Sequence, residues 1–175
     1  MKTFFLLLLF PTAIFSQTKP PDTLHWKENK PLLWTDFKGK PKAGMSGEAF
    51  CMIEAKYEKP NPLKKIKFKI SAVWDKGKSW IAPISKTDDE FLYYQVLFNI
   101  YEVHARRLRK EFSEAKFGMD PVKTFREKYN PADASLPDEC RDFRDETNEG
   151  GETEELKKWD EKVKKELKEL EQFHE

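Results

Sequence analysis

The chain has 175 residues, with 32 basic and 31 acidic side chains, and 36% of it is charged. That length supports one domain with a real core, and the near-zero net charge lacks the basic excess that a nucleic acid or an anionic membrane selects. Five tryptophans and fourteen phenylalanines exclude an intrinsically disordered chain.

Residues 1–16, MKTFFLLLLFPTAIFS, read as a signal peptide: Lys2 is the positive end, Phe4 to Phe10 the apolar run, and Ser16 a small residue before a cut at Gln17. The run is shorter than the roughly 20 residues a bilayer span takes. A secreted or periplasmic protein is therefore expected, with no membrane insertion after signal removal. Residues 17–30 are polar and proline-containing, an extended leader in which His25 and Trp26 read as a surface or edge contact. Residues 31–175 form the single domain.

Pro31 to Pro41 is expected to be a packed loop, with Trp34 and Phe37 as anchors and Gly39 and Pro41 as breakers. Ala49 to Tyr57 alternates as a strand, with Ala49, Cys51, Ile53, Ala55 and Tyr57 on one face. Lys59 to Pro62 is a turn. Lys65 to Trp74 alternates strictly: Ile66, Phe68, Ile70, Ala72 and Trp74 face in, and Lys65, Lys67, Lys69 and Ser71 face out. This is an antiparallel strand with one wet face, its lysines discouraging edge pairing.

Thr87 to Phe112 reads as one long helix. Thr87 and Glu90 have capping-box spacing, Asp88 and Asp89 suit the positive end of the dipole, and Arg106, Arg107, Arg109 and Lys110 suit the negative end. Phe91 to Val103 is apolar on almost every face, as in a buried helix. Gly118 is the expected stop. Asp120 and Pro121 start a short helix over Val122 to Tyr129, which Asn130-Pro131 ends. Pro137 to Asn148 is a second, acidic helix, broken by Gly150-Gly151. Glu152 to Phe173 is amphipathic, with Leu156, Trp159, Val163, Leu167, Leu170 and Phe173 in a stripe that packs on its own domain. The fold class is α+β: a small antiparallel sheet packed on a long central helix, with additional C-terminal helices.

Chemistry-bearing motifs are few. The acidic group Asp138, Glu139, Asp142, Asp145, Glu146 and Glu149 lacks calcium-loop spacing and reads as a solvated helix face. His104 lies about 10 Å along the axis from Leu97 at 1.5 Å per residue, and reads as a solvent-facing or hydrogen-bonded structural histidine. His174 is expected at the surface. Cys51 and Cys140 can bridge in an oxidising compartment, closing a loop of about 90 residues worth roughly 4–5 kcal/mol in the chain-entropy model; two free thiols are the equal alternative.

The central helix nevertheless resembles a known pattern. Leu92, Gln95, Phe98, Ile100, Glu102, Ala105 and Arg106 fit L-x-H-E-Q-x-H-F-D-I followed by E-x-x-A-R, found in a family of secreted bacterial proteins of unknown function predicted to be zinc-dependent proteases. Trp34 to Pro41 resembles that family's W-x-D-F-x-G-x-P segment, and Ser79-Trp80-Ile81 its S-W-V segment. Phe143, Glu146, Thr147 and Gly150 fit its Y-D-x-E-T-x-H-G segment. In the H-E-x-x-H pattern two imidazoles on one helical face bind zinc and the glutamate is the general base. Here Tyr93 and Leu97 stand at the histidine positions, Tyr94 at the glutamate, Glu149 at the third ligand, and Asn99 at an Asp. The resemblance spans roughly Leu32 to Phe173 and implies a zinc-peptidase-like fold with a degenerate metal site. Zinc is expected of the family but its ligands are absent here. The expectation is a non-catalytic protein that binds a protein or peptide partner, with no catalytic residue and no cofactor. An active zinc-dependent peptidase with unidentified ligands and a structural envelope protein are the alternatives.

Overall fold

The computed structural model describes residues 22–58, 67–117 and 120–175. The signal peptide, the Lys59–Pro62 turn and the Gly118 stop lie outside the described residues. Strands β1 (Thr23–His25), β4 (Lys67–Asp75) and β3 (Cys51–Glu58) form an antiparallel sheet in the order β1-β4-β3. A two-stranded ladder pairs β2 (Gly47–Glu48) with β5 (Trp80–Ile81). Three helices follow: α1 (Asp88–Glu114), α2 (Pro121–Glu146) and α3 (Thr153–Glu169). The expected α+β class is the one observed, with α1 packed on the sheet. Among the described residues no helix is long and apolar enough to cross a membrane.

Helix α1 has the sheet on one side and α2 and α3 on the others, which is why its apolar residues run round the axis. Val96, Phe98, Ile100, Val103 and Leu108 are all buried. The cap forms by half. Thr87 Oγ1 accepts from the Glu90 amide at 3.1 Å, but the Thr87 amide donates to Ser85 O, and the Glu90 carboxylate turns to the Tyr94 hydroxyl. The basic run at the other end is not a dipole cap, because α1 continues to Glu114 and its last turn holds no basic residue. Those arginines are tertiary clamps, described below.

The anchors behave as expected. Trp34 meets Phe91 edge-on at 4.8 Å, and Phe37 meets Trp74 at 5.0 Å and Tyr94 at 5.2 Å. Asp36 ties the segment together: its Oδ2 accepts from the Leu33 amide at 2.9 Å, its Oδ1 pairs with Lys76 at 3.0 Å, and its carbonyl accepts from the Trp74 indole. Gly39 is required by space, since a Cβ there would lie 2.6 Å from Lys78 O.

Three expectations are corrected. The leader adds an edge strand, β1, with Leu24 opposite Trp74. The wet face of β4 is exposed at Lys67 and Lys69 but dry at Ser71, whose hydroxyl meets the Glu175 carboxylate, and at Val73, which pairs between His25 of β1 and Met52 of β3. Finally, Val122–Tyr129 and Pro137–Asn148 are not two helices. Both fall on α2, which runs unbroken through Pro131 and Pro137 and ends at Glu146, leaving Thr147 and Asn148 to the turn that follows. Each internal proline removes one backbone hydrogen bond and crowds the preceding turn. The apolar stripe Phe125, Tyr129, Leu136, Cys140 and Phe143 continues across both positions in helical steps and packs against the core. Phe125 stacks on Phe112 at 5.2 Å and on Tyr129 at 5.6 Å.

Candidate functional site

The four positions that the resemblance singles out do converge in part. Tyr93 is buried and stacks on Phe143 with ring centroids 4.9 Å apart at 15°. Its neighbour Tyr94 is buried edge-on to it at 5.3 Å, wedged beneath Phe37 and Trp74. Glu149 follows on the turn after α2, where Asn148 (φ 47°), Glu149 (φ 54°) and Gly150 (φ 94°) are all left-handed. That turn seats Gly150 against Tyr93: a Cβ on Gly150 would be 3.1 Å from the Tyr93 Cβ. Glu149 itself is exposed, and its charge acts on Tyr93, Tyr94 and Glu90. Leu97 lies one turn on, half-buried against the core.

The chemistry of this donor set does not fit zinc. Burial pushes both phenols well above their ordinary value, and the carboxylates of Glu149 and Glu90 push them further, so neither offers a phenolate. Burial also raises Glu90, partly offset by the Tyr94 hydroxyl that donates to it. Leu97 has no donor atom, which leaves Glu149 as one carboxylate where zinc takes three or four ligands. Among the described residues no group of three or more His, Cys, Asp or Glu side chains could hold a metal ion.

The remaining candidates resolve into structure. His104 is buried, and its Nε2 lies 2.7 Å from Glu139 Oε2. Arg107 joins the same carboxylate at 3.1 Å and reaches Glu166 on α3 at 2.6 Å, so this network clamps the three helices together. The His104 hydrogen bond, with Arg107 and Lys162 beside it, holds Glu139 down to about 2. Glu146 accepts from the Trp159 indole, whereas Asp138, Asp142 and Asp145 are exposed, as a solvated face requires. His174 is at the surface. Cys51 and Cys140 are free thiols. Burial raises Cys51 well above its usual value and Cys140 to about 11, so neither favours the reactive thiolate.

Two features went unread in the sequence. Glu102, fully buried, accepts from Arg106 Nε at 3.0 Å and from Arg109 Nη1 and Nη2 at 2.9 and 3.2 Å. The same arginines donate to Leu167 O, Phe173 O and Ile70 O, sewing the end of α3 and β4 onto α1. The second is an amide relay beside a cavity. The Leu32 amide donates to Gln95 Oε1, Gln95 Nε2 donates to Asn99 Oδ1, and the Trp26 indole donates to the same oxygen at 2.8 Å. Trp26, expected as a surface or edge contact, follows the edge strand β1 and is a half-buried wall of that cavity. Two amides four residues apart in an apolar helix were the available signal. No family model matches the chain, and neither a curated protein nor a solved structure does.

Proposed function

We propose that this is a secreted or periplasmic binding protein with a zinc-peptidase-like fold in which core packing has replaced the catalytic metal site. The observation that carries the reading is the stacking of Tyr93 on Phe143. One ring stands at the first histidine position of α1 and the other lies in the segment where the third ligand is expected. The two segments that would share a metal do meet, and they meet through apolar rings at van der Waals distance. Zinc needs donor atoms at about 2.0–2.3 Å in that space. A non-catalytic role in binding a protein or peptide agrees with this loss of ligands.

The test is elemental mass spectrometry on the mature protein after dialysis against zinc, paired with thermal melts with and without chelator. The expected result is no bound zinc and a melting temperature indifferent to chelator. About one zinc per chain, with a melt that chelator lowers, would overturn the proposal in favour of a metallopeptidase with unconventional ligands.

A further inference from the structure

A cavity of about 470 Å³ opens between the 26–31 segment, α1 and α3, within the size range of small-molecule sites. Trp26 and Leu167 form apolar walls, and Gln95 and Asn99 face in from α1. Asn99 is 7% exposed, and its orientation is dictated by its neighbours. The Leu32 amide can only donate, so it takes the Gln95 oxygen and turns the Gln95 nitrogen toward Asn99. The Trp26 indole can also only donate, so it takes the Asn99 oxygen. Asn99 Nδ2 is left with two N–H groups, no hydrogen-bond partner among the described residues, and a place on the cavity wall.

Charge makes the same point independently. Arg106 lies behind these walls: its guanidinium sits 5.1 Å over the Trp26 ring and donates to Leu167 O, and its Nη2 is buried with no partner among the described residues. Arg106 and Arg109 share the single carboxylate of Glu102, so among the described residues one formal positive charge has no second anion paired with it here. At the rim Lys164 is paired with Asp160 at 2.6 Å, and Lys27 and Lys168 stand against Glu28 and Glu171, so the rim charges balance and the local positive charge is that of Arg106.

Building on the non-catalytic binding role proposed above, we propose that this cavity binds a small organic carboxylate with an apolar body, its oxygens accepting from Asn99 Nδ2 and its body lying against Trp26. Lys168, exposed at the rim on α3, supplies the nearby cation. A free acid and a peptide C-terminus present the same chemistry, and the experiment separates them.

The test is an ¹⁵N-resolved NMR titration of the mature protein at low ionic strength, following the Trp26 indole and Asn99 side-chain resonances. The probes are N-acetyl-L-leucine, N-acetyl-L-leucinamide and an N-acetylated tripeptide ending in a free leucine. The expected result is saturable shifts with the acid, and binding at least about tenfold weaker with the amide. A tripeptide binding about tenfold tighter than the single residue makes the source a peptide terminus; equal affinity makes it a free acid. Asn99→Asp keeps an acceptor for Trp26 and Gln95 but replaces the donor with an anion, and should abolish the shifts while the Trp26 indole resonance stays in place. Lys168→Glu, at an exposed position, should weaken binding several-fold. Equal affinity for acid and amide, affinity unchanged in both variants, or no saturable response to any probe would overturn the proposal. Zinc found in the protein would overturn the non-catalytic reading and leave this titration unaffected.

Discussion

Replacing Glu102 by glutamine tests the buried charge cluster on α1. Glu102 holds two guanidiniums through three hydrogen bonds of 2.9 to 3.2 Å, and only 2% of it is exposed. At roughly 1.5–3 kcal/mol per charge-assisted bond the three would sum to more than 4 kcal/mol, but desolvation of the same groups offsets part of that. Glutamine has nearly the same shape, so no cavity adds to the loss. What remains is buried Arg106 and partly buried Arg109 without this counter-charge, and breaking a buried pair in this way costs about 3–5 kcal/mol. In a domain of this size that lowers the melting temperature by roughly 10 °C. Urea denaturation followed by tryptophan fluorescence reads the midpoint and the slope. A second variant, Glu102→Leu with Arg106→Met, removes the charge pair together and should recover part of the loss. A Glu102→Gln unfolding free energy within about 0.5 kcal/mol of the parent, at unchanged slope, would refute the claim that this carboxylate neutralises the arginines.

Stability should also depend on acid. Glu139 is held down to about 2 in the fold, chiefly by His104, against an ordinary value of 4.5. Its contribution is therefore fully present above about pH 5 and is lost as pH falls toward 2, amounting to at most about 3 kcal/mol; Glu139→Gln should flatten that window in melts taken from pH 5 to pH 2. Gly150→Ala forces a side chain onto a φ of 94° and against Tyr93, and is expected to cost about 2 kcal/mol in the same denaturation assay. Ultraviolet titration should show Tyr93 and Tyr94 silent where ordinary phenols ionise near pH 10, and replacing both by phenylalanine should leave the native titration amplitude unchanged.

Much of the architecture was legible because it depends on local pattern. The long helix from Thr87, the alternation of β4 and the stripe of α3 each repeat over enough residues for periodicity to declare the buried face. The prolines of α2 misled for the same reason in reverse: Pro131 and Pro137 carry a strong local signal, while the stripe from Phe125 to Phe143 that overrides it acts only through packing on α1 and the sheet. Trp26 and His25 were also opaque, since their surroundings come from strand β1, whose partner lies some fifty residues away at β4.

By itself the sequence determined the class of fold, the buried helix and the absence of a metal-ligating side chain at Leu97 on that helix. Those properties reside in residue identity and short spacing. Only the tertiary structure decided that Tyr93 is stacked on Phe143, that two arginines share one buried carboxylate, and that Asn99 turns an unused amide toward a cavity. Helical spacing along α1 puts Glu102 within reach of Arg106 and Arg109, and Gln95 within reach of Asn99, but their burial and the direction of their hydrogen bonds are set by Trp26, Leu32 and Leu167, which come from distant parts of the chain.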